Sequence, residues 1–286
     1  MGNVYSCGIA EADFEYQDDS RIVDTSLIKS DLMDKVEINT DDKIEASEEN
    51  AKLIGIDLLE MKKHDSWYKI DDKFFYFKNR KNNLAILNEL ICVELSKYLN
   101  IPTIEYKIAT EQGEIVGLAS VNFLNKDYEY TKCIHAPKSL IQDVRKMLTD
   151  RTFECDENLR KQITALVIRN MYSSLIDRRE NAYYATSGEK LIIPPSHDYE
   201  SAFRRIDIDS STDPLFSYSF NPDSVAVLKE NNPYFSEYME AIKEYNMLKA
   251  MASIEEKIGV FFPNQYVEYY VNYDTNKKEF MKTLGL

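Results

Sequence analysis

Asp177, Asn181 and Asp198 stand within one stretch, LVIRNMYSSLIDRRENAYYATSGEKLIIPPSHDYESAF from Leu166 to Phe203, and their types and order suit a defined chemistry. The stretch reads as the end of an apolar helix, a polar elbow with Asp177 and Asn181, a hairpin of two short strands, and a second elbow with His197 and Asp198. Two carboxylates and an amide are thereby delivered to the ends of buried elements. Oxygen donors so placed suit a hard cation such as Mg2+, which is usually shared with substrate phosphates. The chemistry indicated is phosphoryl transfer.

A second set lies upstream. The run KFFYFK ends in Lys78, with Lys69 on the neighbouring strand as the competing candidate. The helix that follows starts near Asn82 or Asn83, both good caps, and runs through LAILNELICVELSKYL to about Leu99. Its apolar residues occupy most of the circumference, so it is packed on several sides. Glu89 sits there among Ala85, Cys92, Val93 and Ser96. An acid in such a place needs a cationic partner, because burying it unpaired costs several kcal/mol. Lys78, eleven residues earlier, is the obvious one. Singly, each residue also has a bland role: a turn Asp or Asn, a strand-edge lysine, a half-exposed helix glutamate. Protein kinases use a strand lysine, a helix acid, a catalytic-loop Asp and Asn, and a further metal-binding Asp in this order. It is the ordered set that favours chemistry.

The segments IDRREN and SHDYESAF, with NELICVELSKYLNIPTIEYKI upstream, resemble the HipA-like and CtkA-like bacterial Ser/Thr kinases, a branch also reminiscent of lipid kinases. The matching regions span roughly half of the chain. The resemblance implies an ATP-dependent protein kinase that transfers the γ-phosphoryl group to Ser or Thr hydroxyls of a protein substrate, with Mg2+ as cofactor. It implies that Lys78, oriented by Glu89, contacts the phosphates, that Asp177 accepts the proton of the attacking hydroxyl, and that Asn181 and Asp198 hold Mg2+. It places the base near Ser120, Val121, Asn122 and Phe123, with Val121 and Phe123 as cofactor contacts. Ser66, in KKHDSWY, stands where a phosphate-covering loop belongs; it offers a donor to phosphate or an autophosphorylation site, and a plain turn serine is the bland reading. Two departures stand out. The Asp177–Asn181 interval is one residue shorter than in the kinase pattern, and no G-x-G-x-x-G precedes Lys78. They keep open two alternatives, a pseudokinase-like module that binds a nucleotide or partner without transfer, and a small-molecule or lipid kinase.

The chain has 286 residues, 44% of them hydrophobic, which suffices for a sizeable core. A net charge of -14 argues against nucleic acid or an anionic membrane as the main partner. Cys7, Cys92, Cys133 and Cys155 lack any paired spacing, and no apolar leader or spanning run is evident. A reduced, cytoplasmic setting is expected. The opening MGNVYSC fits the pattern for myristoylation at Gly2, with Cys7 as a second lipid site, against the bland alternative of an unmodified start.

The expected fold is α+β and two-lobed: an acidic arm over 1–50, a small β-rich, kinase-like N-lobe with one helix over 51–124, and a larger, mostly helical C-lobe over 125–286. The runs GIDLLEM, SWYKI, KFFYFK, TIEYKIA and EIVGLASVNFL read as strands, with Asp71-Asp72 as a hairpin turn. In the C-lobe, SLIQDVRKMLTD, a long segment from Asp156 and everything after Pro222 read as helical. Arg204 and Arg205 are candidates for steering phosphate or an acidic peptide.

Overall fold

Four consecutive aromatic residues, Phe74 to Phe77, which favour extended backbone, make Lys73–Asn79 the strand β3, next to the edge of a five-stranded sheet. The computed structural model describes residues 34–56, 58–63, 66–79, 83–125, 127–175, 182–206, 214–258 and 262–286. Strands β1 (Lys35–Glu37), β2 (Trp67–Ile70), β4 (Tyr106–Glu111) and β5 (Glu114–Val121) complete this sheet, in the order β1-β4-β5-β3-β2. All pairs are antiparallel except β1 with β4. The β2–β3 turn is made by Asp71 and Asp72, with φ of 48° and 60°, and the β4–β5 turn by Gln112 and Gly113, with φ of 52° and 85°. Consecutive positive φ values match the right-handed twist of paired strands, which is why such two-residue loops recur in hairpins.

Side-chain alternation then sorts the sheet into two faces. Phe75 and Phe77 pack with Val36, Ala109, Ala119 and Val121 on one face. Lys78 is in register with Leu118, which lies on the other face with Tyr106 and Ile108. That second face is covered by helix α3 (Asn83–Tyr98), whose residues from Leu87 to Val93 are all buried.

The run from Leu58 to Lys63, expected as a strand, is instead the short helix α2, following α1 (Glu48–Ile54). Leu, Glu, Met and Lys are straight-chain helix formers, with no β-branched residue among them, and Gly55 ends α1 in the left-handed conformation, φ 93°. Of the acidic arm, the described part from residue 34 includes β1, which lies on the edge of the sheet.

The C-terminal part is larger and mostly helical, giving the mixed α+β, two-part arrangement expected. It holds α4 (Lys138–Thr149), α5 (Glu157–Ser173), α6 (Pro222–Asn231), α7 (Phe235–Glu244), α8 (Met247–Ile258) and α9 (Asn264–Thr283). Asp156 caps α5, its side chain accepting from the N–H groups of Asn158 and Leu159. A second sheet, β6-β7-β8, joins β6 (Glu129–Lys132) to the hairpin of β7 (Tyr183–Ser187) and β8 (Lys190–Ile192). The two parts are stitched where the chain enters β4. Ser196 N–H donates to Pro102 O at 3.0 Å, and Ile104 N–H donates to Ser196 O at 3.2 Å. This fixes the segment before His197 and Asp198 against the first sheet. Among the described residues no helix is long and apolar enough to cross a membrane.

Candidate functional site

Lys78 Nζ donates to Glu89 Oε1 at 2.7 Å and to Asp198 Oδ1 at 2.6 Å. The three groups come from β3, α3 and the loop after β8, so the contact joins the two parts of the fold. Lys78 is 6% exposed, Glu89 0% and Asp198 21%. A fully buried carboxylate is tolerable only if its charge and lone pairs are met. The remaining oxygen of Glu89 accepts from Tyr106 Oη at 2.5 Å and from the Tyr199 N–H at 3.0 Å. Burial pulls the Lys78 pKa down, but the charges of Glu89 and then Asp198 outweigh it, and the net shift is upward. Burial, with Glu89 beside it, pushes the Tyr106 hydroxyl well above its ordinary range, so it stays a donor.

The loop around Asp198 is held to α3 at several points. Asn88 Nδ2 donates to Glu200 O at 2.7 Å. The Tyr199 hydroxyl lies 3.1 Å from both Arg169 Nη1 and Thr103 Oγ1, and the Arg169 guanidinium stacks 5.1 Å from the Tyr199 ring centroid. Arg169 Nη1 also donates to Ser96 Oγ of α3 at 3.1 Å. Asp198 itself has φ 60°, the left-handed region that Asp tolerates better than most residues. Its backbone is thus turned against local preference and held by tertiary bonds, a pattern common at functional loops.

Ligand atoms of Glu89, Asp198 and Glu200 lie within 4.8 Å of one another. Both Glu89 oxygens are already engaged by Lys78, Tyr106 and Tyr199. Asp198 and Glu200 are partly exposed where Glu89 is buried, and carboxylate oxygens of this kind suit a divalent cation such as Mg2+.

The residues expected to form the site fall into three groups. Lys78, Glu89 and Asp198 are brought together. Asp177 and Asn181 lie outside the described residues. The others surround the base-binding candidate region unequally. Val121 packs its side chain against Phe75 on the face opposite Lys78, and its N–H donates to Glu105 O at 3.1 Å. The Asn122 and Leu124 N–H groups donate to Phe74 O at 2.9 Å and to Asn122 Oδ1 at 3.2 Å. The Phe123 N–H has no partner among the described residues. The Phe123 ring lies 5.2 Å from the His197 ring, which is also 5.7 Å from that of Tyr183. Ser66 is half-buried at the head of β2, its carbonyl accepting from the Phe77 N–H at 2.8 Å, beside Lys78. Lys69 is exposed and pairs with Asp72 of its own hairpin at 3.1 Å, which removes it as a rival to Lys78. Sequence reasoning missed Tyr106, Tyr199 and Glu200. Position gave a signal for two of them, since Tyr199 and Glu200 follow Asp198 directly.

No family model matches the chain, and no curated protein matches it. Among solved structures it is similar to the crystal structure of a Helicobacter pylori proinflammatory kinase, CtkA, with 12% identity and a TM-score of 0.39, over 77% of this chain and 94% of that one. The likeness is distant, and the site reading below rests on the side-chain geometry.

Proposed function

We propose that the chain is an ATP-dependent phosphotransferase acting on Ser or Thr hydroxyls of a protein, with a nucleotide held between an N-lobe at 51–124 and a helical C-lobe at 125–286. The observation that carries this reading is the ammonium of Lys78 lying 2.7 Å from Glu89 and 2.6 Å from Asp198, three elements converging on one buried cation beside further oxygen donors. An ammonium so placed can turn from Asp198 toward phosphate oxygens while Glu89 keeps its direction. Asp198 and Asn181 would hold Mg2+, with Glu200 nearby. Bound Mg2+ would supply neutralisation of phosphate charge. Asp177 accepts the proton of the attacking hydroxyl. The Phe123 N–H is the donor best placed to meet a base, Val121 contributes only through the strand that ends there, and Ser66 lies near the phosphate end. Cys92, Cys133 and Cys155, which form no disulfide among the described residues, suit a reducing, cytoplasmic setting.

A second reading, binding without transfer, is favoured by the sequence's lack of a G-x-G-x-x-G before Lys78 and by the short Asp177–Asn181 interval. One experiment separates the two. Purified protein is assayed for Mg-ATP binding by melting shift and for transfer of labelled phosphate to itself and to a generic Ser/Thr substrate. Transfer that disappears in Asp198→Ala and Asp177→Ala, both still folded, supports the kinase. Binding with no transfer supports the second reading, and full activity in either variant contradicts the assignment.

A further inference from the structure

Glu89 is the group on which the proposed site turns, yet its carboxylate is directed by a residue outside the set that the sequence suggests. One oxygen faces Lys78. The other is held from two sides, by the Tyr106 hydroxyl on β4 and by the backbone N–H of Tyr199 in the Asp198 loop. With both oxygens engaged, the carboxylate has one orientation, and among the described residues Oε1 accepts from Lys78. Of these two donors only the Tyr106 hydroxyl can be deleted by mutation without changing the backbone. Tyr106 is buried at 5% exposure, on the same face of the sheet as Leu118, which is in register with Lys78.

We infer that Tyr106 is a positioning residue, whose hydroxyl fixes the Glu89 carboxylate so that the Lys78 ammonium is aimed before any nucleotide arrives. The inference rests on the proposed function for its consequence, since the aimed ammonium is the phosphate contact of that reading. The geometry itself stands without it. Tyr199 assists through its amide, and its own position is set by the Arg169 and Thr103 contacts to its hydroxyl. Hydrogen bonds to charged groups are stronger than neutral ones, so loss of the Tyr106 donor should be felt at Lys78.

The test uses the full chain with Tyr106→Phe, which removes one oxygen and keeps the ring, and Tyr106→Met where the first variant does not yield folded protein. Two readouts are taken well below the melting temperature. The first is the Lys78 ammonium signal in 15N-lysine-labelled protein without nucleotide, assigned by its absence in Lys78→Met. The second is the Mg-ATP dissociation constant, measured in the wild type and in a Glu89→Gln background. The expected result is a displaced, faster-exchanging Lys78 signal and an affinity loss of about tenfold, the worth of one hydrogen bond to a charged group. In the Glu89→Gln background the same change should cost much less, because the group being positioned is already altered. A lower melting temperature with an unchanged Lys78 signal and unchanged affinity would mean that Tyr106 only packs, and overturns the inference. If the wild type binds no Mg-ATP, the proposed function fails, and the ammonium signal alone decides the positioning role.

Discussion

At the scale of single residues, buried groups that hold their protons tightly set how the protein responds to alkaline pH. Lys78 has its pKa raised in the fold, and so have Tyr106, Tyr172 and Tyr270. A group that holds its proton more tightly when folded contributes stability that is fully present below its unfolded pKa and lost as pH rises through the folded value. For tyrosine and lysine that window opens at about pH 10. Denaturant midpoints should therefore be flat from neutral pH to about pH 9 with respect to these groups and fall steeply above about pH 10. The Lys78→Met variant should show a shallower fall, and an unchanged alkaline slope would mean that Lys78 is not the paired cation described. Lys78, Glu89 and Asp198 were legible in the sequence because a strand lysine, an acid on an apolar helix and a later Asp occur in a meaningful order. Tyr106 was not. Alternation along β4 tells which face it occupies, but not that the Glu89 carboxylate lies within hydrogen-bond reach of it, since that depends on how α3 crosses the sheet.

Elements position these residues through packing that can be tested apart from the site. Leu87 and Ile91 are fully buried on α3, between the sheet and the C-terminal helices. Ile91→Ala should lower stability by about 2–5 kcal/mol in denaturant melts, the usual range for truncating a core aliphatic residue. A loss below about 1 kcal/mol would place α3 at the surface instead. The β2–β3 turn offers the opposite test. Asp71 and Asp72 both hold positive φ, a conformation for which Asn-Gly is better suited. The double change Asp71→Asn, Asp72→Gly should raise stability by about 0.5–1 kcal/mol, and a decrease would contradict the turn geometry. Element types were read well wherever a long period was present, as in α3, α5 and the helices after Pro222. They were misread where the run was short. Leu58–Lys63 is apolar enough for either a strand or a helix, and its straight-chain residues with a glycine stop before it decide for the helix. The four-residue strand β6 is half-exposed and has no alternation of its own; it exists because β7 presents an edge to it.

For the molecule as a whole, the claim is that a β-rich part and a helical part meet around one cation and a set of carboxylates, and that a nucleotide belongs between them. The bonds from α3 to the Asp198 loop, through Asn88 and Glu89, and the bond from Arg169 of α5 to Ser96 join the two parts at this point. The excess of acidic residues, net charge -14, leaves the ion-paired Lys78 as a cation that a multiply charged anion can reach only if counter-charge comes with it. ATP alone should therefore bind weakly, and ATP with Mg2+ should bind well. Ligand present at one hundred times its dissociation constant stabilises the folded state by about 2.7 kcal/mol, which a melting curve resolves readily. The most direct test is that melting shift, measured with ATP and with and without Mg2+, in the wild type and in Asp198→Asn, which keeps the side-chain shape and removes the charge. The account predicts a Mg2+-dependent stabilisation in the wild type that is largely lost in Asp198→Asn. Equal shifts in the two proteins, or none in the wild type, would contradict it.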